Sequence, residues 1–159
     1  MTLRPAATVS KAMRGLTIFI LAATAVAAAS AHEGATGVIK ERMEAMSAFS
    51  QSLKAIKAEL GKGAAANRVR IASAAEIVAR QSGEKLVALY PEGTDHPPSY
   101  AMPEVWSERA KFEAGAARLE NAAAALIVAA NGSGELTDPF RDLTRSCGAC
   151  HNRFRQKRR

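Results

Sequence analysis

Apolar residues in this chain recur at alternating steps of three and four, and that rhythm limits what it can fold into. One row runs Ile39, Met46, Phe49, Leu53, Ile56 and Leu60, with Arg42 on the same stripe. Another takes steps of seven, through Val105, Phe112, Leu119 and Leu126, with Ala116, Ala123 and Ala130 between. A third runs Phe140, Leu143, Cys147, Cys150 and Phe154. Such spacing lines one face of a helix and is the seam of a helix bundle. Signals for strands are nearly absent: alanine is abundant and aromatics make up only 5% of the chain, which favours helix over a pleated surface.

Glycine and proline set the boundaries. The first helix spans about Gly37 to Leu60, and Gly61 and Gly63 stop it. The second runs from about Ala65 to Ser82, with Ile71, Ala74, Ala75 and Val78 on one side; beyond Gly83, Leu86, Val87 and Leu89 extend it by a turn or two. Tyr90-Pro91-Glu92-Gly93-Thr94-Asp95-His96-Pro97-Pro98 is a long crossover. The third helix starts near Pro103 and ends at Asn131-Gly132-Ser133-Gly134. The fourth starts at Asp138 as N-cap, with Pro139 at the first helical position. Two short connections around one long one predict an all-α, antiparallel four-helix bundle.

The N-terminal segment belongs to a different category. Arg4, Lys11 and Arg14 precede an apolar stretch from Leu16 to Ala29, which closes on Ala29-Ser30-Ala31. This is the layout of a secretory signal peptide. Cleavage after Ala31 divides the chain into a leader, 1–31, and one domain, 32–159. The alternative is an uncleaved anchor, but the stretch is short against the ~20 apolar residues a bilayer span needs. No later segment is long and apolar enough to span, so the mature chain is expected in the periplasm without stable membrane insertion. The full chain has 22 basic and 15 acidic residues. The leader holds three of the basic ones and no acid, which leaves 19 against 15, or +4, after the cut. Much of that excess sits in Arg153, Arg155, Lys157, Arg158 and Arg159. Export argues against nucleic acid as their partner. They read as a solvated helix end favoured by the helix dipole, and as a patch steering an acidic redox partner.

The last helix carries the chemistry. Cys147-Gly148-Ala149-Cys150-His151 is C-x-x-C-H, the signature of covalent haem attachment. Two thiols three residues apart share a helix face and can add across the two haem vinyl groups. His151, four residues after Cys147, can reach the iron as its proximal ligand. Three other readings compete. Exported cysteines often form a disulfide. A thioredoxin-like motif expects a βαβ context that is not visible here. A zinc site needs more ligands than His32 and His96 supply.

The iron's second axial position has five candidates: His32, His96, Met43, Met46 and Met102. Met46 lies on the apolar stripe of the first helix, and Met43 one turn earlier. A thioether ligand raises the potential and fills the sixth position, whereas an open face binds small ligands. For one methionine on such a stripe, filling the core is the ordinary role. Arg42 is the second clue. A guanidinium on a buried seam needs an anionic partner, and the haem propionates would supply one. The alternatives are snorkelling to the surface or pairing with a carboxylate.

Three stretches resemble the cytochrome c′ and cytochrome c-556 family. Val38-Ile39-Lys40-Glu41-Arg42-Met43-Glu44-Ala45-Met46 is similar to its opening helix. Tyr90-Pro91-Glu92-Gly93-Thr94, then Ala101-Met102-Pro103-Glu104-Val105-Trp106 and Phe112, resemble its crossover and third-helix start. Cys147 to Arg155 resembles its closing haem helix. The resemblance covers essentially the whole mature chain. It implies a four-helix bundle with one covalent haem c near the C-terminus, and an arginine near the propionates followed four residues later by the distal residue. Five-coordinate members carry a bulky apolar residue there and c-556 types a methionine, so the resemblance implies His151/Met46 coordination. It also implies that a homodimer through the first two helices is possible. Tyr90 departs from the pattern, which often has phenylalanine.

The expected function is therefore that of a low-spin, one-electron carrier serving redox partner proteins, with no catalytic constellation in the sequence. The alternative is a haem protein that binds nitric oxide or carbon monoxide at an open or displaceable distal site. A purely structural bundle stapled by a disulfide remains only if no haem is held.

Overall fold

A computed structural model describes residues 34–157. The leader expected at 1–31, the cleavage site, His32 and the last two arginines lie outside the described residues.

The helices are α1 (Gly37–Leu60), α2 (Arg68–Gln81), α3 (Glu84–Ala88), α4 (Glu104–Ser107), α5 (Arg109–Asn131) and α6 (Thr137–Phe154). The four long ones form the four-helix bundle, with α3 and α4 as short pieces flanking the crossover. Among the described residues there is no strand, only an isolated antiparallel bridge between Ala101 and Arg155. No described helix is long and apolar enough to cross a membrane.

Each boundary has a local cause. Between α1 and α2, a 3₁₀ turn at Gly63–Ala65 absorbs the start expected at Ala65. Asn67 then caps α2, its Oδ1 accepting from the Arg70 N–H at 3.1 Å. The buried Glu59 carboxylate fixes this turn by accepting from the Asn67 N–H at 3.0 Å and from Lys62 Nζ at 2.8 Å. The extension beyond α2 is a separate helix. At Gly83 the backbone takes φ +60°, ψ −137°, a region only glycine enters cheaply. There its N–H donates to Ala116 O on α5 at 3.3 Å.

The start of α6 corrects the expected Asp138 cap. The helix begins at Thr137, so Pro139 is its third residue, where its missing N–H is one of the helix's unpaired donors anyway. Leu136 stands at the N-cap without a side-chain bond, and the Glu135 carboxylate does the capping, accepting from the Thr137 N–H and, at 2.8 Å, from the Asp138 N–H. A carboxylate two or three residues back reaches both free donors and complements the positive helix end.

Packing runs around the ring from α1 to α2 to α5 to α6, while α6 and α1 meet only sparsely. Ile56, Ile71, Val78, Leu126 and Leu143 are wholly buried in the main core. Each such side chain contributes about 1.5–3 kcal/mol of transfer free energy. A smaller cluster of Ala101, Val105, Phe112 and Phe154 sits where the crossover meets the end of α6. On α1 part of the expected stripe is buried. The buried line is Ile39, Arg42, Ala45, Phe49, Ser52, Ile56 and Glu59. Met46, Leu53 and Leu60 are half-buried and pack against the core from its flank.

Candidate haem site

On α6 the two thiols are free and half-buried, and no disulfide joins them. Cys147 packs against the main core, Cys150 against the smaller aromatic cluster. The motif therefore straddles the boundary between the two. Burial pushes both thiols above their ordinary range. For Cys150 the neighbouring Cys147 adds to the rise, and Arg118 opposes it. His151 is half-buried, and burial, followed by the Arg155 charge, holds its imidazole below the ordinary histidine range. It is thus neutral at pH 7, the state in which imidazole ligates a metal. Nothing lies within 4 Å of where a Cβ would stand on Gly148, so that position lies open between the two cysteines. Two unpaired thiols on one face and a neutral imidazole one turn on fit a covalently attached haem. The zinc alternative finds no support, since no three His, Cys, Asp or Glu gather among the described residues.

On α1, Met46 lies on the half-buried flank beside the main core, and Met43 is half-buried one turn earlier. The other candidates lie elsewhere. His96 is exposed on the crossover, with Nδ1 3.1 Å from Pro97 O. Met102 is half-buried where the crossover ties to α6, its N–H donating to Phe154 O at 2.9 Å.

Arg42 is buried, at 4% exposure. It neither snorkels nor meets a carboxylate. Nε donates to Leu89 O, Nη1 to Thr94 O at 2.8 Å and Ser99 Oγ at 3.3 Å, and Nη2 to Thr94 Oγ1. Its guanidinium carbon lies 4.2 Å from the Tyr90 ring centroid and 5.8 Å from that of Trp106. Burial lowers its pKa, which the Tyr90 phenol opposes. Those bonds occupy four of the five guanidinium hydrogens and leave one on Nη2.

Tyr90, Trp106 and Arg109 organise this end of the bundle, a role that their place in the sequence does not assign to them. The Tyr90 ring sits between Arg42 and Phe112, with 4.8 Å between the two ring centroids. Burial pushes its phenol up to about 12, so it stays neutral. Trp106 Nε1 donates to Pro91 O at 2.9 Å, and Arg109 Nη1 to Tyr90 O at 2.9 Å. At the far end, Gln156 N–H donates to Tyr100 O at 2.9 Å. The crossover is thus pinned to α1 through Arg42 and to the end of α6 beside the haem motif. Only the aromatic and cationic residues flanking two prolines hinted at this.

The comparisons agree with this architecture. The family profile described as Cytochrome C′ matches residues 37–155. The solved cytochrome c′ from Thermochromatium tepidum is 30% identical, with a TM-score of 0.68 over 76% of this chain and 95% of its own. A cytochrome c′ described as having an unusual ligand-controlled dimer dissociation is 26% identical, with a TM-score of 0.67 over 76% and 95%. A nitric oxide complex of a cytochrome c′ variant from Alcaligenes xylosoxidans is 25% identical, with a TM-score of 0.66 over 76% and 94%. No curated protein matches the sequence.

Proposed function

The chain belongs to the cytochrome c′ family and carries one covalent haem c, and from that premise we propose that it is a periplasmic haem protein that binds nitric oxide or carbon monoxide at a displaceable distal site. The haem supplies an iron that binds diatomic ligands and changes oxidation state. Cys147 and Cys150 hold it by thioether bonds, and His151 ligates the iron on the proximal side. Met46 covers the distal side. The observation that carries this reading is Met46's half-buried place on the flank of α1, packed against the edge of the main core rather than within it. A side chain there can swing aside without opening the core, and its thioether is a weak donor. Relatives described with bound nitric oxide and with ligand-controlled association support the same reading.

Arg42 serves mainly the crossover in this proposal, and its remaining Nη2 hydrogen would be available to a haem propionate. Export of residues 32–159 after cleavage at Ala31 belongs to it too. So does a homodimer, which sedimentation with and without carbon monoxide checks.

The second reading, a low-spin electron carrier with His151 and Met46 both bound and unidentified redox protein partners, is favoured by the sulfur of Met46 itself. Visible spectra of the exported protein, oxidised and reduced, with and without carbon monoxide, separate the two. A reduced spectrum that shifts on adding carbon monoxide supports the gas-binding reading. A sharp low-spin spectrum indifferent to the gas refutes it and leaves the carrier.

A further inference from the structure

We propose that the groove between α1 and α6, below the haem motif, binds a medium-chain carboxylate, its head group on Lys54 and Lys57 and its chain between Leu53 and Phe140. The groove has a volume of 360 Å³ and is lined by Ser50, Leu53, Lys54, Lys57, Phe140 and Thr144. That lies at the small end of the ~300–1,000 Å³ typical of small-molecule sites.

Its lining separates into two chemistries. Leu53 and Phe140 are half-buried and pack on the main core, so they form an apolar floor continuous with the interior. Lys54 and Lys57 stand on the rim. Three residues apart on a helix, their Cβ atoms are ~5–6 Å apart, close enough for one carboxylate to reach both. Many cations of the bundle are engaged: Lys40 with Glu44, Arg80 with Glu76, Arg141 with Asp138 and Arg145 with Asp142. Among the described residues Lys54 and Lys57 are in no ion pair. The two aspartates on the facing part of α6, Asp138 and Asp142, are engaged by Arg141 and Arg145. Two unpaired cations beside an apolar trough complement an anion with a hydrocarbon tail. A small inorganic anion would leave the trough unused, and a neutral apolar molecule would leave the lysines unused.

The groove shares no lining residue with the haem-attachment motif or with Met46. Leu53 is seven residues beyond Met46, and Phe140 seven before Cys147, which is roughly two helical turns or ~10 Å along the bundle. The proposal therefore does not depend on the distal coordination.

The test is calorimetric titration of the purified holoprotein with decanoate below its micelle concentration. One saturable site is expected, with octanoate weaker by about three- to tenfold, since each methylene contributes through burial, and acetate without measurable binding. Lys54→Gln with Lys57→Gln should weaken decanoate at least tenfold. Thr144→Trp, which fills the trough and leaves both lysines in place, should do the same. No saturable heat, undiminished binding in both variants, or acetate binding as well as decanoate would each overturn the site. Carbon monoxide spectra of the same samples keep the two proposals apart: either can fail while the other stands.

Discussion

Replacing Arg42 by methionine tests whether this arginine is chiefly a clamp on the crossover. The substitution removes the donors that serve Leu89 O and Thr94 O, two carbonyls on half-buried residues. Each carbonyl left without a donor costs about 1–3 kcal/mol. The stacking on Tyr90 at 4.2 Å is lost as well, worth about 1 kcal/mol where the cation is partly desolvated. Against this, methionine packs well on the Tyr90 ring and no charge has to be buried, which returns about 1–2 kcal/mol. The net expectation is a loss of about 3 kcal/mol. With a urea m-value of about 1–3 kcal/mol/M, the midpoint falls by about 1–3 M. The assay is urea unfolding of the holoprotein followed by far-ultraviolet circular dichroism. Thr94→Val supplies the control, because it deletes the Oγ1 that accepts from Nη2. If Arg42 works through the crossover, the two changes couple by about 0.5–3 kcal/mol, as contacting residues do. A loss within the roughly 0.5 kcal/mol of an ordinary surface change, or strict additivity with Thr94→Val, would refute the clamp and return Arg42 to the propionates alone.

Met46→Ala should raise the rate of carbon monoxide binding to the reduced protein at least tenfold, while Met43→Ala leaves it within twofold; the reverse pattern in stopped-flow traces moves the distal sulfur to Met43. Glu59 is held below the ordinary glutamate range first by its hydrogen bond from Lys62 and then by that from the Asn67 N–H. A depressed carboxylate pKa contributes stability above the unfolded value, about 4.3, and loses it as pH falls through the folded one. Glu59→Gln should therefore lower stability at neutral pH and flatten its decline on the acid side, and parallel stability–pH curves for the two proteins would exclude this role. At Gly83 an added Cβ would stand 2.8 Å from Glu120 Cδ, on a backbone with φ +60°. Gly83→Ala should cost about 2 kcal/mol from strain, and adding Glu120→Ala should recover only the steric part; full recovery would mean the backbone conformation is not the cause.

The helices were legible because their periodicity is global and redundant: losing one apolar position leaves the stripe intact. The haem motif was legible because five adjacent residues carry it. The cap of α6 was not, since Asp138-Pro139 is a good start signal in isolation and only the fold shows Glu135 reaching back over two donors. On α1 the expected stripe holds at Ile39, Arg42, Phe49 and Ile56, while Met46, Leu53 and Leu60 lie on its flank. Met46, Leu53 and Leu60 are larger and more apolar than Ala45, Ser52 and Glu59, yet the smaller and polar set is the one buried. Residue size marks burial poorly where a neighbouring helix lies close and leaves room for little more than a methyl group. Arg42 was recognised as needing a partner, but backbone carbonyls of a loop about fifty residues away carry no signal in sequence.

The half-buried flank of α1 faces the side on which α1 and α6 meet only sparsely. Where α2 meets α5 the buried residues include Ala72, Ala74, Ala75, Gly115, Ala116 and Ala123, and small side chains let helix axes approach toward the near end of their usual 8–10 Å spacing. The facing flanks of α1 and α6 carry Met46, Leu53, Phe140, Cys147 and His151 instead, all only half-buried. Met46 and Leu53 on one flank and Phe140 on the other are bulky, and α1 and α6 meet only sparsely. We take the size of these side chains as the reason this edge of the ring stays open. The half-buried Cys147, Cys150 and His151 lie at the end near the crossover. At the other end the opening leaves the trough under Lys54 and Lys57. Trimming the flank of α1, as Met46→Ala with Leu53→Ala does, should draw the helices together if side-chain size sets their spacing. If the spacing persists in the structure of that variant, the size of these side chains is not what sets it.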